Sequence, residues 1–140
     1  IEKIEYFKKN KVDMLIASRY TKNSEIKNWN IFRRVFSLSS NFLAKLLLKI
    51  PCTDYTNGFR FYSKRAAKKV VDECGKIGGG FIVLSEILVV MYSNNFKIDE
   101  LSTIFVNRKR GESSVSFKLI LSSLLGLIKL YYLKKNKHGK

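Results

Sequence analysis

The chain has 140 residues, enough for one domain or part of one, and 46% of them are hydrophobic, so a core can form and intrinsic disorder is excluded. With 27 Lys and Arg against 11 Asp and Glu, the formal net charge is +16. Such an excess points to nucleic acid, an anionic membrane surface or a phosphorylated substrate, unless it only mirrors a basic proteome.

Residues 2–10 read as the end of an amphipathic helix, so a chain opening there at Ile1 suggests a piece of something longer. The apolar run at 12–17 fits a buried strand, and the polar residues 21–28 fit a loop. A long helical pattern follows over 31–50, and Pro51 stops it because the residue before a proline is pushed out of the helical region. Residues 54–62 alternate and predict a strand. Ser63 caps a helix reaching about Cys74, 75–80 form a glycine-rich loop, and 81–93 form a buried helix. The alternating 97–107 predict one strand with room for a bulge, and 108–114 a polar connector. The last helix spans 116–133 and a lysine-rich tail follows. Cys52 and Cys74 form no CxxC and His138 is the only histidine, so no zinc site is supported and two free cytoplasmic thiols are expected.

Several groups can carry chemistry. Trp29, Arg33, Ser37, Asn41 and Lys45 recur every four residues and so share one face of the long helix. That stripe is either a solvated basic face or the phosphate-facing side of an interfacial helix whose apolar arc lies among lipid headgroups. Arginine suits the second reading because its planar fork donates two parallel hydrogen bonds to phosphate oxygens. Arg19 directly follows the first strand, where the ligand crevice of an open α/β sheet lies, or it is a plain surface cation. Asp54 either caps local backbone or serves as a base, or as a carboxylate near a metal or sugar. Glu86 stands in an apolar helix and needs a partner, which is either a core-edge arginine or a site group. The basic segment 108–113 either closes over a phosphate or is a hinge. The 115–133 helix nearly reaches the ~20 residues that span a bilayer, but its lysines and serines favour an interfacial or protein-packed helix.

In order along the chain stand SRY (18–20), WNIFRR (29–34), SLSSN (37–41), DYTNGFRFY (54–62), FIVLSE (81–86) and R-x-x-G-E-S (108–113). This ordered set resembles the family 2 glycosyltransferases of the dolichyl- or polyprenyl-phosphate mannose synthase type. The resemblance implies an α/β fold, the C-terminal part of a Rossmann-like GT-A domain with amphipathic membrane-interface helices. Residues 1–114 would be its acceptor side and 115–140 an interface helix with a basic tail. It implies hexose transfer, mannose before glucose, from a nucleotide sugar to a polyprenyl or dolichyl phosphate at the cytoplasmic membrane face. Arg19, Arg33, Ser37 and Arg108 would bind the acceptor phosphate, with Arg33 preferred to Arg34 because it shares a face with Ser37. Asp54 would be the catalytic base, with Trp29, Asn41 and Glu86 as supporting residues. Mg²⁺ or Mn²⁺ is expected in the full-length enzyme, but no D-x-D occurs here, so metal ligands and donor site lie elsewhere and the chain is expected to be inactive alone. A nucleic-acid module is disfavoured because the aromatics fall among aliphatics rather than beside cations. A non-catalytic basic membrane module is the remaining alternative.

Overall fold

Every residue of the strand Met14–Ser18 (β1) is buried, as a strand covered on both faces must be. The computed structural model of the chain describes residues 2–106 and 117–138. β1 is the centre of a three-stranded sheet, antiparallel to Arg60–Tyr62 (β3) and parallel to Ile98–Ser102 (β4). Glu25–Lys27 (β2) and Ile104–Val106 (β5) pair in parallel as a second, two-stranded sheet. The helices are Glu2–Lys9 (α1), Ile31–Leu48 (α2), Lys64–Glu73 (α3), Phe81–Ser93 (α4) and Phe117–His138 (α5). The chain is thus mixed α/β with a small mixed sheet.

The core joins Met14 and Ile16 of β1, Leu48 of α2, Tyr55, Leu88 and Met91 of α4, and Leu127 and Leu130 of α5. α5 therefore shares the core of the sheet and of α2 and α4. It lies close to α4 because Gly126 has no side chain: a Cβ there would meet Ile82 Cγ1 at 2.5 Å.

Five elements differ from the sequence expectation. β2 lies inside the expected 21–28 loop, and its three residues are too few to show a period. The expected 54–62 strand shrinks to β3, because the Asp54 side chain takes the N–H groups of Thr56 and Asn57 and removes them from any ladder. The expected 97–107 strand divides at Thr103, whose N–H donates to Ser18 O while its carbonyl accepts from Glu25 N. That residue passes the chain from one sheet to the other. α2 ends at Leu48, before the proline, with Lys49 left-handed at φ 48° and its N–H on Lys45 O. Lys134 Nζ donates to Leu48 O, so part of the expected lysine-rich tail is helix packed on α2. Cys52 and Cys74 are free thiols, and burial pushes the Cys52 thiol up to about 12.

At the amino end of β1, Asp13 ties three elements together. It accepts from Ser63 Oγ (2.9 Å), Arg65 Nε (2.6 Å) and Lys97 N (3.0 Å). The Arg65 hydrogen bonds, followed by those from Lys97 and Ser63, hold its carboxyl at about 2 against an ordinary 3.8, with burial opposing them. A depressed carboxyl stabilises the fold above its unfolded value and loses that contribution as pH falls through the folded one. Asp13→Asn is expected to lower the melting temperature at neutral pH. The gap to the parent should close as pH falls from about 4 to about 2, as thermal melts across that range will check.

Candidate functional site

A cavity of about 230 Å³ opens where the carboxyl end of β1 meets α2, α4 and α5. One end is polar, lined by Arg19, Trp29, Arg33, Ser37 and Thr56. The remainder is mostly apolar, walled by Phe36 and Leu43 of α2, Phe81 and Ile82 of α4, and Leu124 and Leu127 of α5, with Ser39, Ser40, Ser85 and Ser123 among them. A cationic head joined to an apolar body suits an amphiphile with an anionic headgroup.

Arg19 is only 8% exposed, and its charge is met by a wholly buried Asp54. Nε and Nη2 of Arg19 donate to Asp54 Oδ2 (2.8 Å) and Oδ1 (2.7 Å), a two-pronged pair. The Arg19 backbone N–H donates to Asp54 Oδ2 (3.0 Å), and Thr56 N and Asn57 N donate to Oδ1. These five N–H donors fill the roughly four lone-pair sites of a carboxylate. As placed, Asp54 fixes Arg19 and the turn behind it, and has no open lone pair with which to take a proton.

The pair is itself held from behind. Glu100 on β4 accepts from Thr53 N (2.7 Å), Thr53 Oγ1 (3.1 Å) and Asp54 N (3.0 Å). Arg60 lies buried beneath the same turn, donating to the carbonyls of Tyr55 (3.0 Å), Asn57 (2.8 Å) and Leu84 (2.8 Å). Desolvation lowers the Arg60 pKa. Asn41 joins α2 to this turn, donating to Thr56 Oγ1 (3.1 Å) and accepting from Tyr55 N (2.7 Å).

α2 brings the other polar groups to the cavity because its cap fixes its start. Asn30 is extended, and its side chain accepts from Arg33 N (2.8 Å). Arg33 then rests on Trp29, with Cζ 4.6 Å from the ring centroid, while Arg19 Cζ lies 5.4 Å from the same ring. One turn along, Ser37 accepts a 2.6 Å hydrogen bond from the Tyr20 hydroxyl. Arg34 is exposed and takes no part in the lining.

Arg19, Trp29, Arg33 and Ser37 thus converge, with Asp54 and Asn41 directly behind them. Glu86 is elsewhere: its carboxylate accepts from Gly75 N (2.9 Å) and Lys76 N (3.3 Å), holding the loop between α3 and α4. Neither sequence reading of Glu86, arginine partner or site group, matches that place. Arg108 lies outside the described residues. Among the described residues no cluster of His, Cys, Asp or Glu is placed to hold a metal. Asp54 and Glu100 are occupied by N–H donors, so these residues do not fit the expected Mg²⁺ or Mn²⁺.

The outer face of α2 is apolar and open, with Ile31 82%, Phe32 72% and Phe42 70% exposed. Leu121, Leu125, Ile128 and Tyr132 do the same on α5. No helix among the described residues is long and apolar enough to cross a membrane.

No protein-family model matches the chain. The chain is similar to a polyprenol monophosphomannose synthase of Mycolicibacterium smegmatis. The two are 28% identical over 104 residues, covering 74% of this chain and 39% of the relative. An uncharacterized protein of Methanocaldococcus jannaschii is 28% identical over 121 residues, covering 80% of this chain and 49% of the relative. The chain therefore spans less than half the length of both relatives.

Sequence reasoning gave no individual role to Glu100, Arg60, Thr56 or Tyr20; the last three lie within the SRY and DYTNGFRFY segments it singled out, whereas Glu100 carried no local signal. The pair leads to a stability test. Asp54→Leu strands a buried guanidinium and should cost about 3–5 kcal/mol. Arg19→Met added to it should recover part of that loss, because removing both charges is far cheaper than removing one. Denaturant unfolding of the parent, both single variants and the double variant measures the difference.

Proposed function

We propose that this chain forms the acceptor side of a GT-A glycosyltransferase that moves a hexose from a nucleotide sugar onto a polyprenyl or dolichyl phosphate. Mannose is the preferred hexose, in keeping with the name of the Mycolicibacterium relative. The observation that carries the reading is the cavity itself, cationic at the Arg19–Arg33 end and apolar between α2, α4 and α5. The phosphate lies at the first and the start of the prenyl chain in the second. The open apolar faces of α2 and α5 rest in the headgroup layer at the cytoplasmic side, with exposed Lys45, Lys49 and Lys135 against anionic lipids.

In the reaction, an acceptor phosphate oxygen attacks the anomeric carbon of the sugar. The new carbon–oxygen bond forms as the bond to the departing nucleoside diphosphate breaks, with inversion. The nucleophile is already anionic at neutral pH, so no strong base is required. The larger obstacle is bringing two anions together, and fixed guanidinium groups lower it. Arg19 is aimed by Asp54 and cannot turn away, while Arg33 is seated on Trp29. Arg108 is proposed to approach the phosphates as well. The base role expected for Asp54 would require it to release one of its five N–H donors. Positioning Arg19 is the role its geometry supports. The divalent metal would be held with the donor diphosphate by carboxylates outside these residues.

A purely membrane-binding module would need the apolar faces of α2 and α5 but not a buried ion pair at the mouth of a cavity. Arg33→Lys separates the two readings in the full-length enzyme. It keeps the charge and loses the planar fork, so transfer to a prenyl phosphate should fall at least about tenfold with donor affinity nearly unchanged. Radiolabelled sugar transfer and nucleotide-sugar titration measure both. Unchanged transfer would reduce Arg33 to a surface cation.

A further inference from the structure

The hydrogen bonds around Thr56 leave one proton without a destination. Its Oγ1 accepts from Arg19 Nη2 (2.8 Å) and from Asn41 Nδ2 (3.1 Å). A guanidinium and an amide NH₂ can only donate, so neither contact can run the other way. The Asn41 amide is fixed in its orientation, because its oxygen accepts from Tyr55 N (2.7 Å) and its nitrogen also donates to the Ser37 carbonyl (2.8 Å). A hydroxyl has two acceptor lone pairs and one proton. Both lone pairs of Thr56 are filled from within the fold, so the hydroxyl can act further only as a donor. No group among the described residues accepts that proton.

The side chain is half-buried and lines the polar end of the cavity. Arg19 beside it is in a similar state. Its Nε and Nη2 are occupied by Asp54 and Thr56, while the two N–H groups of Nη1 have no hydrogen-bond partner among the described residues. The sealed side-chain polar atoms without a partner among those residues are Trp29 Nε1 and Ser93 Oγ. Nη1 is not one of them, so it keeps a face open to the cavity that Arg19 lines. The open groups at this point are therefore donors, and the carboxylate behind them is filled. That combination rejects a cation and rewards an oxyanion with more than one oxygen, the class to which a phosphate monoester belongs.

We propose that Thr56 is a further ligand-binding residue, its hydroxyl donating to a phosphate oxygen of the acceptor beside the N–H groups of Arg19 Nη1. The inference rests on the acceptor reading above and adds a residue and an atom to it. It also gives the turn after Asp54 a second task. The carboxylate that aims Arg19 takes the Thr56 N–H as well, so the cation and the hydroxyl are held as one unit.

A crystal structure of the full-length protein with geranyl phosphate tests it, together with titrations of geranyl phosphate and inorganic phosphate. A phosphate oxygen should lie about 2.5–3.0 Å from Thr56 Oγ1. Thr56→Val keeps the shape and loses the hydroxyl, and should weaken geranyl phosphate binding about tenfold or more. Thr56→Ser keeps the hydroxyl and should bind within about threefold of the parent. The valine also withdraws an acceptor from Arg19, so the Arg19 Nε–H resonance is followed by NMR and should hold its place in Thr56→Val. If that resonance moves, the complex with the unaltered protein decides, as it does for a variant that folds poorly. If the phosphate sits on Arg19 with no oxygen in reach of Thr56 Oγ1, or Thr56→Val binds like the parent, this inference fails while the acceptor reading stands. If inorganic phosphate binds as tightly as geranyl phosphate, the site takes a free phosphate and the lipid acceptor reading fails. If geranyl phosphate binds elsewhere or not at all, both fail together.

Discussion

A guanidinium that gives up water must be repaid by an acceptor of opposite charge held in matching geometry, and in this fold that requirement reaches from Arg19 into three other elements. Asp54 supplies the acceptor from 35 residues away, across the carboxyl end of β1. Its oxygens also take the N–H groups that shape the following turn, so the turn and the cation are set by one carboxylate. Glu100 pins the backbone of Thr53 and Asp54 from β4, and Arg60 gathers three carbonyls beneath. A buried pair of this kind adds little stability compared with apolar packing of similar volume. Its value here is orientation: Arg19 faces the cavity and has nowhere else to go.

The apolar part of the cavity follows from helix packing. α5 comes close to α4 at Gly126 against Ile82, and further along Leu127 and Leu130 enter the common core. Leu124 and Leu127 are thereby set opposite Phe36 and Leu43 of α2. Polar recognition at the strand end and apolar space between the helices are consequences of one packing arrangement. The same α2 turns Arg33 and Ser37 inward and Phe32 and Phe42 outward, so a single helix addresses both a headgroup and a surface.

Spacing alone was enough to group Arg33, Ser37 and Asn41, because a four-residue interval on a helix fixes a common face whatever the tertiary structure; Trp29, counted with that stripe, precedes the Asn30 cap and reaches the cavity from outside the helix. Arg19 was legible too, from its place after a buried strand. What surrounds these residues was not. Glu100 reaches Thr53 and Asp54 only because β4 pairs with β1, a contact between distant parts of the chain that no local pattern encodes. The pairing of β2 with β5, which carries Phe105 to Trp29, is hidden for the same reason. Residues 54–62 looked like a strand because their side chains alternate, yet a side-chain carboxylate competed successfully for the backbone N–H groups. Glu86 was correctly marked as needing a partner, but its partner proved to be the backbone at Gly75, left-handed at φ 85°, and Lys76.

The central claim is that a prenyl phosphate enters with its phosphate at Arg19 and Arg33 and its chain between α2, α4 and α5. A photoreactive prenyl phosphate, carrying a diazirine on its second isoprene unit, tests this directly when its crosslinks to the full-length protein are mapped by mass spectrometry. The account predicts crosslinks on Phe36, Leu43, Ile82, Leu124 and Leu127, competed by unlabelled prenyl phosphate and not by the prenyl alcohol. Crosslinks confined to other surfaces, or equal competition by the alcohol, would contradict it.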